Sequence, residues 1–364
     1  MKKDRPARNA WRRLKKNKGA LFGIVIIFLS VFIAVFAYWF APDHSPFANR
    51  MIVEIGGQKP GFTKLFLKIP SSQNNTTVSV LRQLITGLPD RYQFIPINNF
   101  EKKRDSILVE QYIDEETTVF VSYPLYKTSD SILIDSVDLE IKTFYLGTDK
   151  YGRDILSRLL IGVRVSLGVG LITVLLSLTI GVLLGAIAGY YRGRADDIIT
   201  WFINVIWSIP TLLLVFAITL MLGKGFWQVF IAIGLTMWVN VARIVRGQIL
   251  VVRELEYVEA AQALGYSSMR ILFVHILPNV MGPVLVVAAS NFASSIVIEA
   301  GLSFLGIGVQ PPQPSWGLMI KENFNFIITH NPMLALAPGF AIMLLVLAFN
   351  LLGNGLRDAL SVKT

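Results

Sequence analysis

Long runs of apolar residues constrain this chain of 364 residues more than any other feature. Six runs are at least 18 residues long, and their only charged side chain is Glu299, in the fifth run. An α-helix rises about 1.5 Å per residue, so roughly 20 apolar residues cross the hydrocarbon core of a bilayer. The sequence therefore predicts six transmembrane helices, at residues 21–41, 165–191, 198–223, 225–242, 280–305 and 331–356.

The composition also indicates a polytopic membrane protein. Hydrophobic residues make up 53% of the chain and charged residues only 16%, whereas about 25% of a typical soluble domain is charged. The absence of cysteine excludes disulfides and cysteine-based sites. His44, His275 and His330 are far apart in the sequence, which argues against a histidine metal cluster. We therefore predict no metal site in this chain.

The positive charges predict the orientation in the membrane. Residues 1–18 hold nine Lys and Arg side chains, directly before the first apolar run. Such clusters mark cytoplasmic segments and attract anionic lipid headgroups. With six spans both termini are then cytoplasmic, and the short cytoplasmic segments hold eight Lys and Arg after the first span, against two in the short external loops. We assign the net charge of +10 to topology and membrane lipid, and predict no nucleic-acid partner.

Residues 42–145 differ in kind from the rest, because they are polar and their charges nearly cancel. Roughly 100 residues suffice for a small domain with its own core. We predict an inserted extracytoplasmic domain, β-rich or α+β, and the alternative is a loosely ordered loop. The predicted strands, which favour β-structure and are separated by turn-rich pieces, are residues 51–55, 62–69, 76–81, 91–97, 117–123 and 131–141.

Residues 253–279, which we call the elbow, form a polar island between the fourth and fifth spans. Good helix formers predict a first short helix over 254–264, and Gly265 follows as its C-cap. Ser267 or Ser268 can cap a second helix, which Pro278 is expected to end. The first helix has one apolar stripe, made of Leu255, Val258, Ala261 and Leu264.

The elbow resembles the EAA loop of permease subunits of ABC importers. The residues that carry the resemblance are Glu259, Ala260, Ala261, Gly265, Leu277 and Pro278. The sequence departs from the usual pattern at His275, where an Ile is common. The resemblance implies that the elbow docks into a groove on an ATPase subunit, which would bind ATP and Mg. The alternative is a cytoplasmic hairpin that only links two spans.

Two further motifs resemble the dipeptide and oligopeptide branch of these permeases. One is LGTDKYGRD at 146–154, followed by Ser157-Arg158-Leu159, and the other is VQPPQPSWG at 309–317. The amphipathic segment 146–164 is predicted to lie along the outer membrane face before the second span. The resemblance implies a second homologous permease chain, two ATPase subunits and an extracytoplasmic solute-binding protein as partners.

No phosphate-binding GxxxxGK[ST] motif occurs, so this chain is not predicted to hydrolyse ATP or to be an enzyme. Glu299 either supports a pathway or gate, or hydrogen-bonds to the SFLG turn near the outer end of its span. Four asparagines within the spans are predicted to make inter-helix hydrogen bonds rather than a substrate site, namely Asn204, Asn240, Asn291 and Asn350. Gly181, Gly185 and Gly189 form a tandem GxxxG that allows another helix to approach closely.

The fold class predicted is thus an all-α polytopic membrane protein with six transmembrane helices and the inserted domain. Its parts are the basic N-terminus and first span (1–41), the inserted domain (42–145) and a five-helix permease core (146–364). The resemblance implies an ATP-driven importer of dipeptides or oligopeptides in a bacterial inner membrane, with nickel chelates and other small solutes left open. The alternatives are an exporter permease and a membrane-anchored interaction protein that works through its external domain.

Overall fold

The computed structural model describes residues 6–70, 79–103, 106–124, 138–328 and 331–360. Helices account for most of this part of the chain. A π-helical turn, Ile271–Ile276, joins the ninth helix to the tenth. In chain order the α-helices are α1 (Pro6–Lys16), α2 (Lys18–Phe40), α3 (Val80–Thr86), α4 (Ile155–Tyr191), α5 (Gly193–Trp207), α6 (Thr211–Leu222), α7 (Phe226–Val252), α8 (Glu256–Ala263), α9 (Ser268–Arg270), α10 (Leu277–Phe304), α11 (Trp316–Asn323) and α12 (Met333–Leu360).

Five helical stretches in the described ranges are long and apolar enough to cross a membrane, and the pair α5–α6 raises the number to as many as six. These findings match a polytopic membrane protein. The predicted third span, residues 198–223, is broken into α5 and α6, which meet at an angle of 93°. Pro210 directly precedes α6 and supplies no N–H donor, so the helical hydrogen-bond ladder ends here.

A separate surface helix over 146–164 is not found. The helix starts only at Ile155 and continues without a break through the second predicted span to Tyr191. Residues before it form a turn, in which Thr148 and Asp154 make an isolated β-bridge. Asp154 caps the helix, because its Oδ2 accepts a hydrogen bond of 2.8 Å from the backbone N–H of Ser157.

The chain divides into two compact units. We call the first, Met1–Val31, Ser166–Gln310 and Ala341–Thr364, the helical unit. The second, Phe32–Val165 and Pro311–Phe340, is called the sheet unit. In the helical unit a buried apolar cluster joins side chains of α4, α7, α8 and α10, and it includes Val245, Ile249, Val258, Ala261, Ile271, Ile276, Leu277 and Val280.

Among its described residues, the sheet unit contains one antiparallel sheet of five strands in the order β4-β3-β2-β1-β5. Pairing of Leu67 with Ile95 places aliphatic side chains on one face, where they form a buried cluster. Phe66 and Phe144 belong to a second, aromatic cluster that includes Ile52 and Ile55. The strands are β1 (Phe62–Pro70), β2 (Tyr92–Lys102), β3 (Ser106–Tyr112), β4 (Thr118–Pro124) and β5 (Asp138–Phe144).

The strand predictions for 62–69, 91–97 and 117–123 are confirmed by β1, β2 and β4. The prediction for 131–141 is confirmed from Asp138 onward, and its first seven residues lie outside the described ranges. Two predictions are wrong. Residues 53–55 form a 3₁₀ turn, and Val80 starts α3 because the hydroxyl of Ser79 caps that helix. Residues 76–78 of that prediction lie outside the described ranges. The sequence analysis did not predict strand β3.

Candidate functional site

The first helix of the elbow, α8, is anchored on one side and exposed on the other. Val258 and Ala261 are buried in the apolar cluster of the helical unit. Leu255 and Leu264 are 44% and 72% exposed, so the predicted four-residue stripe is only half buried. The exposed outward face carries Glu256, Glu259, Ala260 and Ala263. An anchored helix with a small, polar outward face is suited to contact a partner.

Gly265 ends α8 in the way that the sequence predicts. Its φ is +76°, in the left-handed region that favours glycine. The backbone N–H of Gly265 donates to the carbonyl of Gln262 at 2.9 Å, and that of Tyr266 donates to Ala261 at 3.2 Å. These two bonds define a Schellman motif. A Cβ atom on Gly265 would have no heavy atom within 4 Å, so only the backbone conformation selects glycine here.

The second helix of the elbow does not end at Pro278. From Ser268 the chain remains helical through the π-helical turn and α10 to Phe304. Pro278 occupies the first turn of α10, where a missing N–H costs least. The wider π-helical turn, Ile271–Ile276, directly precedes that position. The elbow is therefore continuous with a membrane-spanning helix.

Polar and aromatic contacts hold the first helix of the elbow, with the turn after it, against the helical segment that follows the turn. Asn279 Nδ2 donates to the hydroxyl of Tyr257 at 2.9 Å and to the carbonyl of His275 at 2.8 Å. The ring of His275 stacks on that of Tyr266, with centroids 5.9 Å apart and planes 6° apart. His275, where the sequence departs from the usual loop pattern, thus takes part in the packing of the elbow. These non-covalent contacts join the two helical parts of the elbow, so the parts can move together.

Further contacts connect the elbow to the junction between α4 and α5. Arg192 pairs with Glu254, and Arg253 Nη1 donates to the carbonyl oxygen of Tyr190. Six residues before the end of α7, Arg246 makes a bidentate pair with Asp196, with distances of 2.5 and 2.7 Å. Sequence reasoning used these arginines only as topology signals and missed their partners, which lie about 50–60 positions away along the chain.

Glu299 is buried inside α10, with 1% of its surface exposed. The hydroxyl of Ser303 donates to Glu299 Oε1 at 2.6 Å and accepts from the backbone N–H of Val309 at 3.0 Å. The carboxylate is therefore tied through Ser303 to the loop that follows α10. This geometry is the one expected if Glu299 hydrogen-bonds to the SFLG turn, which is the second of the two alternatives.

A cavity of about 500 Å³ lies in the helical unit. Asn240 and Asn350 line it. Asn291 makes the predicted inter-helix contacts, because its Nδ2 lies 3.5 Å from both the Ser177 hydroxyl and the Met237 carbonyl. The remaining wall is mainly apolar, with further polar side chains from Thr211, Thr236 and Ser294. A mixed lining of this kind suits a solute path.

Within the described ranges, no group of three or more His, Asp or Glu side chains is arranged to hold a metal ion. His330 lies outside these ranges.

Comparison with known families gives two matches. Residues 181–364, half of the chain, match the family described as binding-protein-dependent transport system inner membrane component. Residues 5–52 match the N-terminal transmembrane domain of oligopeptide transport permease C. Residues 53–180, which include all five strands, lie outside both matches.

Similar proteins include two transport permeases. A glutathione transport system permease protein of Pectobacterium atrosepticum is 44% identical over 219 residues, which cover 60% of this chain and 72% of that one. An oligopeptide transport system permease protein of Bacillus subtilis is 40% identical over 238 residues, covering 65% and 78% of the two chains. A solved structure of the MetNI methionine ABC transporter, 17% identical, matches 56% of this chain and 97% of its own with a TM-score of 0.47. This chain therefore belongs to the family of inner membrane components of binding-protein-dependent transport systems, as a multi-pass ABC transporter permease.

Proposed function

We propose that this chain forms part of the translocation path of an ATP-driven importer for dipeptides or oligopeptides. The names of its relatives, which are permeases for oligopeptides, dipeptides and glutathione, support this class of solute. The complex would contain a second, homologous permease, two ATPase subunits that bind ATP and Mg, and an extracytoplasmic solute-binding protein. The N- and C-termini and the elbow would lie in the cytoplasm, and residues 42–145 outside it, as the charge bias predicts.

The observation that carries the coupling proposal is the contrast between the two sides of α8. Ala260 and Glu259 face outward, whereas Ala261 and Val258 are packed against the core of the helical unit. An ATPase subunit that grips the outward face would displace the buried face with it. Packed interiors transmit such displacements because they have low compressibility.

The residues that carry the resemblance to the EAA loop would each contribute to this coupling. Glu259 offers a charge for polar contact with the ATPase groove, and the small side chain of Ala260 allows close approach. Gly265 supplies the left-handed turn. Leu277 is buried in the apolar cluster, and Pro278 begins α10, so both link the elbow to the spanning helix. The cavity of about 500 Å³ beside α7 and α10 would contribute to the solute path.

The test is a substitution that leaves the isolated chain unaffected. Ala260→Arg adds a large side chain at an exposed position, so we expect normal expression but loss of the ATPase subunits on affinity purification. Ala260→Ser, which keeps the position small, should retain them. ATP-driven uptake of a labelled dipeptide in proteoliposomes should fall in parallel, and Gly265→Asp should uncouple it in the same way. Normal uptake by both Ala260→Arg and Gly265→Asp would refute the coupling role.

A further inference from the structure

The cavity of about 500 Å³ in the helical unit has a neutral wall. Among the described residues, no Asp, Glu, Lys, Arg or His lines it. Asn240 and Asn350 offer carboxamide groups, Thr211 and Ser294 offer hydroxyls, and the rest of the wall is mainly apolar. Carboxamides and hydroxyls both donate and accept hydrogen bonds, as the backbone of a peptide does. The volume lies within the range of small-molecule sites, about 300–1,000 Å³.

A cation lies on the cavity-facing side of α7, directly beyond this neutral wall. Thr236 and Asn240 line the cavity, and Arg243 follows them at the spacing i, i+4, i+7, which repeats one face of an α-helix. Trp207, at the end of α5, also lines the cavity. The guanidinium carbon of Arg243 lies 3.6 Å from the centroid of the Trp207 ring. Two independent observations therefore place Arg243 at the end of the cavity that is nearer to the elbow.

Arg243 differs from the next two arginines of α7 and the elbow in its contacts. Arg246 makes its bidentate pair with Asp196, and Arg253 donates to a backbone carbonyl. Among the described residues, Arg243 makes neither a salt bridge nor a hydrogen bond through its guanidinium. The residue is partly exposed, so it is not closed off from a ligand. An accessible cation without a counter-ion, beside an uncharged cavity, is suited to bind an anionic group.

The contact with Trp207 leaves the hydrogen-bonding groups of Arg243 available. A guanidinium that lies over an aromatic ring uses its face, whereas its five N–H donors lie in its plane. These donors match a carboxylate, which they can bind in a bidentate pair. The ring also restricts the long side chain before any ligand arrives, so less conformational entropy is lost on binding.

We propose that Arg243, held by Trp207, binds the C-terminal carboxylate of a short peptide in this cavity. The proposal rests on the proposed function and adds the chemical group that this part of the path recognises. The carboxamides and hydroxyls of the wall would contact the peptide backbone, and the apolar residues its side chains. Because no acid among the described residues lines the cavity, the ammonium group of the peptide has no counter-ion there. The site thus selects for a free carboxylate and not for a free N-terminus.

The first experiment measures equilibrium binding of radiolabelled alanyl-alanine to the full chain in nanodiscs, without partner subunits. Alanyl-alanine amide, which lacks the carboxylate, should compete at least about tenfold more weakly than unlabelled alanyl-alanine. N-acetyl-alanyl-alanine, which keeps the carboxylate, should compete within about threefold of it. Equal competition by the amide, or the absence of saturable binding, would overturn the proposal. Because no ATPase subunit is present, either failure leaves the coupling proposal standing.

A second experiment on the unaltered chain tests whether the peptide lies at Arg243. Phenylglyoxal reacts with accessible guanidinium groups, and mass spectrometry reports the extent of reaction at each arginine. Alanyl-alanine should slow the reaction at Arg243 but not at Arg357, an exposed arginine near the end of α12. The amide should slow neither reaction. If protection of Arg243 follows the content of anionic lipid in the nanodisc and not the dipeptide, the ligand is a lipid headgroup and the proposal is wrong.

Variants separate carboxylate binding from a structural role. Arg243→Gln should lose at least about tenfold in affinity for alanyl-alanine but keep its affinity for the amide. Arg243→Lys, which retains the charge, should lose less. Arg357→Gln is the matched control, because it makes the same change outside the cavity wall, and it should bind as the unaltered chain does. Equal losses for alanyl-alanine and the amide in Arg243→Gln would mean that Arg243 only supports the fold, and would overturn the proposal.

Discussion

A Cβ atom on Gly185 would lie only 2.5 Å from the backbone carbonyl oxygen of Ala242. The same relationship recurs one turn away on either side, at 2.7 Å between Gly181 and the Trp238 carbonyl and at 2.9 Å between Gly189 and the Arg246 carbonyl. The tandem GxxxG motif therefore faces α7, and the backbones of α4 and α7 are in direct contact along it. Sequence reasoning predicted a close approach here but could not identify the partner helix.

Gly185→Ala should weaken this packing. The added methyl group meets backbone, which cannot rotate away, so the helices must separate. We expect a loss of about 1–3 kcal/mol, the typical cost of overpacking, seen as a lower thermal midpoint in detergent. Gly168→Ala is the control, because a Cβ at this α4 position has no heavy atom within 4 Å. Equal midpoints for the two variants would contradict the packing argument.

Gly265→Ala should destabilise the elbow locally by about 1–2 kcal/mol, the cost of a left-handed conformation for a residue with a Cβ atom. The measurement is amide hydrogen exchange at residues 265 and 266, whose N–H groups close the Schellman motif. Both should exchange faster in the variant. Gly247→Ala, in open space at a position without a positive φ, should leave these two amides as protected as before. If the exchange rates at 265 and 266 do not rise, the turn is not strained by alanine.

The pair between Asp196 and Arg246 should couple only modestly. Its side chains are 14% and 31% exposed, so solvent screens part of the attraction. A double-mutant cycle with Asp196→Asn and Arg246→Gln should give a coupling of about 0.5–1 kcal/mol in thermal unfolding. The exposed neighbour Asp197, changed to Asn, should show a smaller coupling to Arg246. A larger coupling at Asp197 would mean that the bidentate geometry is not the cause.

Ser303→Ala should lower the stability of the fold more than its small change in size suggests. The variant removes the donor to buried Glu299 and the acceptor for the Val309 N–H together. Leaving buried polar groups without this partner should cost about 1–3 kcal/mol. Ser290→Ala is the control on the same helix, because the hydroxyl of Ser290 bonds to the carbonyl of Val286 one turn back, within α10 itself. Similar thermal midpoints for the two variants would argue against the bridging role of Ser303.

Much of the structure of this protein is determined locally, by residues that lie close to one another in the sequence. The apolar runs are long enough to specify membrane helices regardless of their neighbours. The alternation in β1 and β4 specifies strands, and glycine at position 265 specifies a left-handed turn, because each preference is a property of nearby atoms. The elbow could therefore be located from the sequence, but of its predicted apolar stripe only Val258 and Ala261 are buried.

Tertiary structure decided the features that depend on residues distant in the chain. The π-helical turn before Pro278 lets a predicted helix end become part of a spanning helix. Asn350 lines a cavity together with residues of α5, α7 and α10. Arg243 and Trp207 become neighbours only when α5 packs against α7. Such contacts are set by the packing of helices against one another and have no periodic signature in the sequence.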